Sequence, residues 1–567
     1  MNSPSSHKSY RPFTVLSLRL GYFIANVLRM NGLFVQRVLN VILHAVLVQM
    51  VGRLYQCLFP IASADANTKN AFLLKAHTLA SILFMLHPTH IESVVNVANR
   101  AHLLSLLLVM LSLDLSLHAI LGGMIYTMGL LACETTIFLF PAICLTWIYM
   151  DYTASDHDAD NGNDNGNGSD GSNHWKILHF IRKRLWRIVL FSVITFVYIS
   201  MRYYFDWIVI PQGLIRPAEN PFYALGGMDR VLNYSYVMSI HVVKSIGMGF
   251  VDLVGFSHEY GFDCVKRIDS LYDGRLLYPL ILGALIFWLI AVSSRQGGDV
   301  RVDNLKLFSE KRILFLLTTG AWMASLFPIS GMLRVGTFIA DRIVISSTVA
   351  SAILWTRVLY PHLNPSYGGN KDKRISTRCP ERAVIMKLFV AFLLSTFLWI
   401  KIQRRSVEWM CPVSLLRGSL RACPRCAKSH LEMGKVYGSG LLGETKDLEQ
   451  SLYHLQMAEE IDPDFCDVNH QLAQVYIQNG NFLKFEDRLT KGVLCQFTMN
   501  ASYSIFQQYW SHVLNDPSQV NTGAKKRYDV QLKTIQDAIA RETEIEGAIN
   551  VDASKENLYE SKQTLEL

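Results

Sequence analysis

His87-Pro88-Thr89-His90-Ile91-Glu92-Ser93-Val94-Val95-Asn96-Val97-Ala98-Asn99-Arg100 is a polar block set between two apolar runs. Residues 71–86 precede it and are nearly all apolar after Lys75. Residues 103–117 follow it and are nearly all apolar again. Two imidazoles, a carboxylate, two amides and a guanidinium at the edge of a bilayer are expensive to desolvate. Such a group normally faces a water-filled site, so the block reads as a functional loop between membrane helices.

Composition supports that reading. Of 567 residues, 50% are hydrophobic and 18% are charged, against roughly 25% charged in an ordinary soluble domain. Mean hydropathy is +0.21. The bias is uneven: residues 34–402 carry the apolar runs, and 403–567 read as soluble protein. Apolar segments at 34–59, 71–86, 102–117, 119–132, 136–150, 187–205, 276–294, 311–329, 336–359 and 384–401 predict about ten spans. The fold class expected is therefore all-α: a polytopic helical membrane domain followed by a helical solenoid.

The net charge of +8 does not point to nucleic acid. Lys and Arg gather in short loops, as cytosolic loops of membrane proteins do. Loops 151–186, 295–312 and 360–383 are the basic ones and are expected in the cytosol. Alternation then puts the 87–100 block, the Cys133-Glu134 edge, the segment 206–275 and everything after 402 in the lumen. The apolar stretch 231–254 breaks this parity and contains His241 and Lys244. It is expected to be an interfacial or re-entrant luminal helix. Residues 153–174, rich in Asn, Gly, Asp and Ser, cannot bury a core and read as a flexible cytosolic insertion. Residues 1–33 hold no Asp or Glu and are expected to be the remnant of a luminal loop. No secretory signal pattern opens the chain.

The tail shows a weak repeat. Gly434 and Tyr437 recur as Ala473 and Tyr476, 39 residues on, and Asp462-Pro463 closes the first unit. A small residue where two helices cross, with Pro opening the next pair, suggests about two to three tetratricopeptide-like repeats over 403–520. Residues 521–567 read as a charged helix or tail. Ten cysteines are scattered and imply no dense disulfide framework. Cys423-Pro424-Arg425-Cys426 has no second ligand pair nearby and reads as a repeat boundary rather than a zinc or redox site. Asn500-Ala501-Ser502 is an N-glycosylation sequon.

Several motifs follow one another in order: His7-Lys8-Ser9-Tyr10-Arg11-Pro12, the 87–100 block, Cys133-Glu134-Thr135-Thr136, Phe327-Pro328-Ile329-Ser330, Val335 to Arg342, Arg405-Ser406-Val407-Glu408-Trp409 and Cys423 to Lys428. The ordered set resembles the transmembrane and tetratricopeptide-repeat-containing protein O-mannosyltransferases over roughly residues 5–515. The resemblance implies a GT-C type enzyme of the endoplasmic reticulum membrane, with luminal repeats. Its donor substrate would be dolichyl phosphate mannose, a lipid-linked partner, and its acceptors Ser or Thr of luminal proteins engaged through the repeats. It gives no metal ligand set and no nucleic-acid partner. It also implies a further span and a luminal loop with paired acids upstream of residue 1.

The chemistry sorts the residues. A glycosyl-phosphate bond breaks through an oxocarbenium-like state, so the leaving phosphate needs cations and donors. The acceptor hydroxyl needs a base. Glu92, His90 and His87 are the catalytic candidates; the alternative for them is a polar network fixing the loop beneath the site. Lys8, Arg11, Arg100, Glu134, Arg230, Asp341 and Arg342 are the candidates for donor phosphate or lipid contact. At Glu134 the resembling proteins carry Lys-Glu, where this chain has Cys133-Glu134; at Asp341 they carry Glu-Arg. Two other functions remain at this stage: an inactive membrane-anchored tetratricopeptide scaffold, and, with least support, a transporter.

Overall fold

The structure is a computed structural model that describes residues 10–59, 75–113, 118–147, 149–150, 173–205, 220–250, 253–257, 260, 264–284, 319–333, 337–363, 380–440, 445–515, 523–538 and 540. Among these residues every regular element is helical and none is a strand. The chain divides into two compact units: residues 1–260 with 265–418, and residues 261–264 with 419–567. Lys8, the insertion up to residue 172, and residues 285–294 and 311–318 of the expected spans at 276–294 and 311–329 lie outside the described residues.

In the first unit, α1 (Pro12–Leu28) and α2 (Gly32–Leu58) are joined by a tight corner. Pro12 opens α1, where a missing N–H costs nothing. Arg29 turns left-handed to end it, and the Asn31 side chain accepts from the Phe34 N–H at 3.1 Å to start α2. Residues 12–28 are thus a helix rather than a loop remnant. The apolar positions of TVLSLRLGYFIANVL carried that signal, which the topology argument had overridden.

Then come α3 (Ala76–Met85), the short α4 (His90–Val95), α5 (Arg100–Ser112), α6 (Ala119–Ala132), α7 (Asn173–Tyr204), α8 (Gly227–Ile246), α9 (Ile345–Leu363) and α10 (Pro380–Glu408). Glu134–Leu139 and Asp341–Val344 are 3-10 turns. The core holds Leu47, Val51, Tyr55, Phe84, Leu103 and Trp147, all nearly inaccessible. Helices approach closely through polar contacts as well as apolar ones. Ser81 Oγ donates to the Val48 carbonyl at 3.0 Å, and the Tyr126 and Thr195 hydroxyls meet at 3.0 Å. Small and hydroxylated residues serve helix packing in lipid in this way.

Among the described residues, Gly32–Leu58, Arg184–Tyr204 and Asp341–Tyr360 are long and apolar enough to cross a membrane. Shorter apolar helices include Pro12–Leu28, Ala76–Met85 and Ala119–Ala132. Phe34, Val38, Val41 and Ile42 on α2, and Val193, Phe196 and Val197 on α7, point outward. Aliphatic surface of that extent suits lipid. By contrast, α8 buries Asn233, His241, Lys244 and Ser245, so its polar residues face the protein interior.

The second unit contains α12 (Ala427–Ser439), α13 (Leu448–Ile461), α14 (Asp467–Gln478), α15 (Phe482–Val493) and α16 (Met499–Asn515), numbered after α11 (Pro412–Ala422). α12 packs on α13, and α14 on α15, as helix-turn-helix pairs. Gly434 is the crossing point of the first pair: a Cβ there would lie 2.7 Å from Leu455 Cγ. Asp447 caps α13 by accepting from the Glu449 and Gln450 N–H groups. His430 Nε2 lies 2.8 Å from the Pro424 carbonyl, so it donates there, and its Nδ1 meets His454 Nδ1 at 2.9 Å. Disulfides join Cys466 to Cys495 and Cys264 to Cys423. The CxxC pair is thereby divided, with Cys426 left as a buried thiol.

Candidate functional site

Two ion pairs lie where α4, α8 and the 3-10 turn before α9 converge, and a third joins the start of α1 to the 3-10 turn after α6. Glu92 sits in α4 with its side chain 2% exposed. Its Oε2 accepts the Arg342 backbone N–H at 3.0 Å, and its Oε1 accepts from the Arg342 guanidinium. A carboxylate at the start of a helix also gains from the helix dipole. Arg342 further donates to Thr337 Oγ1 at 3.2 Å, and its side chain is 23% exposed. The neighbouring Asp341 points elsewhere, to Lys244 Nζ of α8 at 3.1 Å; both side chains are all but inaccessible. Lys244 also donates to the Gly255 carbonyl at 2.8 Å and lies over the Phe256 and Tyr260 rings. Buried charges persist only when paired and hydrogen-bonded in this way.

The third pair is Arg11 with Glu134, bidentate at 2.8 and 2.6 Å. Both side chains keep more than a quarter of their surface open. Burial pushes the Glu134 carboxyl up, but the hydrogen-bonded Arg11 guanidinium outweighs it and holds the group at about 2. The cation expected from a Lys-Glu sequence pair is supplied instead by α1, which Thr14 Oγ1 also ties to the Ala132 carbonyl at 2.8 Å.

His87 and His90 are built into the scaffold. His87 donates Nε2–H to the Ser245 carbonyl at 3.0 Å and accepts from Thr89 Oγ1 at 2.8 Å. His90 meets Thr348 Oγ1 at 2.7 Å and His44 Nε2 at 3.0 Å. Each is 2% exposed. Burial brings His87 down to about 4 and His90 well below its ordinary value. With both nitrogens of each ring engaged, the arrangement matches the polar network weighed beside the catalytic expectation.

Arg100 is likewise turned inward. Its guanidinium donates to Asn40 Oδ1 at 2.6 Å and to the carbonyls of Gln36 and Ser17 at 2.8 and 3.1 Å. The arrangement commits it to holding α1 and α2 against α5 rather than to a phosphate. Arg230 donates to the carbonyls of Gly331, Tyr223, Leu225 and Leu333 and stacks on Tyr234. It closes a loop whose carbonyls have no helix to satisfy them. Gly331 is left-handed there, with φ of 85°, and Tyr234 fills the place of a Cβ.

The structure therefore brings together Glu92, Arg342, Asp341, Arg11 and Glu134 of the expected residues. It adds Lys244 and His102. Lys244 carried a signal, being a cation in an apolar run. His102 stood at the edge of the block, two residues past Arg100. It is partly buried in the first turn of α5, with Arg11, Arg342, Glu134 and Glu92 as its charged neighbours. Chemically, two partly open guanidiniums held by carboxylates form a receptive place for an anion. Cys466, Asp467 and Cys495 cluster in the second unit, but the two sulfurs are bonded to each other and are spent as metal ligands.

Comparison with known proteins bears on this site. The protein O-mannosyl-transferase F38B6.6 of Caenorhabditis elegans is 24% identical over 478 residues, 82% of this chain and 55% of its own length. The protein O-mannosyl-transferase TMTC4 of Mus musculus is 24% identical over 469 residues, 77% of this chain and 56% of its own. The protein O-mannosyl-transferase TMTC3 of Homo sapiens is 37% identical over a shorter 106 residues, 18% of this chain and 10% of its own. By sequence, the chain is similar over most of its length to protein O-mannosyl-transferases. It spans about half the length of the curated relatives it matches over most of its extent. No family model and no solved structure matches it. The similarity accords with a helical, apolar first unit.

Proposed function

We propose that the chain is the membrane part and first repeats of a protein O-mannosyltransferase, taking mannose from dolichyl phosphate mannose to Ser or Thr of luminal proteins. The observation that carries this is the grouping of Glu92–Arg342 with Arg11–Glu134 on a partly open face of the apolar unit. A leaving lipid phosphate needs cations at a membrane edge. Arg342 and Arg11 are held there without being sealed off, and each can trade a carboxylate for a phosphate oxygen. In this reading the apolar segments form about ten spans of a GT-C type domain in the endoplasmic reticulum membrane. The helix pairs of the second unit are tetratricopeptide repeats that grip acceptor proteins from the luminal side. The Cys466–Cys495 bond supports that side, since disulfides persist in oxidising compartments.

One observation favours a second reading, a membrane-anchored repeat scaffold without transfer activity. Among the described residues of the site, Glu92, Glu134 and Asp341 are all paired with cations, which weakens each as a base.

The deciding experiment is transfer of radiolabelled mannose from dolichyl phosphate mannose to luminal acceptors by membranes carrying the protein. Wild type should transfer, and Glu92→Gln and Arg342→Ala should each lose about a hundredfold or more. Transfer by wild type and both variants alike would remove these residues from the reaction. Absence of transfer with acceptor binding intact would establish the scaffold.

A further inference from the structure

His102 differs from His87 and His90 in the first unit. His87 and His90 have both nitrogens engaged. His102 has one recorded side-chain contact among the described residues, from Nδ1 to Cys133 Sγ at 4.0 Å. Its ring is partly exposed, and its charged neighbours are the two site arginines and the two carboxylates that hold them.

The contact with Cys133 lies on the Nδ1 side of the ring and leaves Nε2 on the other side. Cys133 is fully buried, and its sulfur also lies 3.1 Å from Thr135 Oγ1. A thiol has one hydrogen to give. Where the Thr135 hydroxyl donates to sulfur, the thiol S–H is left for His102 Nδ1. A neutral imidazole that accepts at Nδ1 carries its proton at Nε2. In that arrangement His102 offers an N–H donor, not a lone pair, on the side away from Cys133.

We infer that His102 is a phosphate-contact residue of the donor site: its Nε2–H donates to the lipid-linked phosphate between the guanidiniums of Arg11 and Arg342, and Cys133 is the positioning residue that sets its tautomer. The inference rests on the function proposed above and deepens it. Two arginines supply charge, while a directed neutral donor fixes the orientation of the phosphate without adding to the attraction for other anions. It also accounts for a buried thiol and a half-open imidazole that packing alone leaves without a purpose.

The test uses the full chain in lipid nanodiscs and measures equilibrium binding of dolichyl phosphate, with dolichol as the phosphate-free control. Glutamine places its amide N–H where histidine carries Nε2; asparagine places its own where histidine carries Nδ1. His102→Gln should keep affinity for dolichyl phosphate within about threefold of wild type, while His102→Asn and His102→Ala should lose about tenfold. Cys133→Ala should lose a smaller factor, about threefold. Dolichol binding should be the same in all of them, which also shows that the variants are folded. Equal affinity of His102→Asn and His102→Gln, whether high or low, overturns the inference, as does a matching loss of dolichol binding. Wild type binding dolichyl phosphate no better than dolichol would overturn the proposed function itself. That outcome differs visibly from a wild type that discriminates and a His102→Asn that discriminates equally.

Discussion

The Glu92–Arg342 pair makes an asymmetric prediction. The two partners are not equally buried: the Glu92 side chain is 2% exposed and that of Arg342 is 23% exposed. Arg342→Met leaves a carboxylate with almost no access to water. It keeps the Arg342 backbone N–H, 3.0 Å away, and loses the guanidinium. Removing one partner of a buried pair costs about 3–5 kcal/mol, and the retained N–H places this case near the lower end, about 3 kcal/mol. Glu92→Gln leaves instead a guanidinium that already reaches solvent and the Thr337 hydroxyl, and an amide oxygen can still accept the backbone N–H. Its cost should be about 1–2 kcal/mol. The double variant removes both charges, so it should be more stable than Arg342→Met alone, with a coupling of about 1–3 kcal/mol. Thermal unfolding of the detergent-solubilised chain reads the order directly: Arg342→Met lowest, the double variant above it, Glu92→Gln near or above the double. Strictly additive losses, or Glu92→Gln falling below Arg342→Met, would refute the claim that burial of the carboxylate dominates.

Other expectations concern the second unit. Burial and the charge of His430 bring His454 from 6.5 down to about 4, so the unfolded chain takes up a proton between those values that the folded chain refuses. Stability is therefore complete above pH 6.5 and falls as pH drops toward 4, by about 1 kcal/mol once solvent screening of a half-exposed ring is allowed for. His454→Gln should flatten that part of the unfolding midpoint against pH; an unchanged slope would show another group responsible. Gly434→Leu forces a side chain into Leu455 and should lower the full chain's unfolding midpoint, by about 1–3 kcal/mol in stability, whereas an unchanged midpoint would mean that the helix pair does not cross there. Breaking Cys466–Cys495, 29 residues apart, with a Cys495→Ser change should cost about 3–4 kcal/mol by loop entropy, read as earlier protease cleavage within 466–495 than in wild type.

How much of this was legible in the sequence follows from the range of each interaction. Glu92 and Arg342 stood out because a charge beside an apolar run needs a reason. Lys244 carried the same mark, but its pairing with Asp341 depends on how α8 folds back, and one chain's pattern does not encode that. The cation for Glu134 was sought one residue away and lies at Arg11, 123 residues away. Periodicity reports local faces only, so a substitute drawn from a distant helix leaves no trace in it. Arg100 and Arg230 show the opposite error. Both looked like ligand contacts because they are cations in polar loops, yet protein acceptors took their donors: Asn40 Oδ1 and two helix carbonyls for Arg100, loop carbonyls for Arg230. The small residues of the tail were read correctly as crossing points because the Gly434–Leu455 approach is made by adjacent helices.

The Glu92–Arg342 pair also sets a timetable for the chain's synthesis. Its two members are separated by 250 residues, and ribosomes add about 5–20 residues each second. The carboxylate in α4 therefore emerges roughly 12–50 s before its partner exists. For that interval Glu92 lacks the guanidinium and the backbone N–H that hold it in the folded chain. The site is closed only when the turn before α9 arrives, so a late segment completes the environment of an early one.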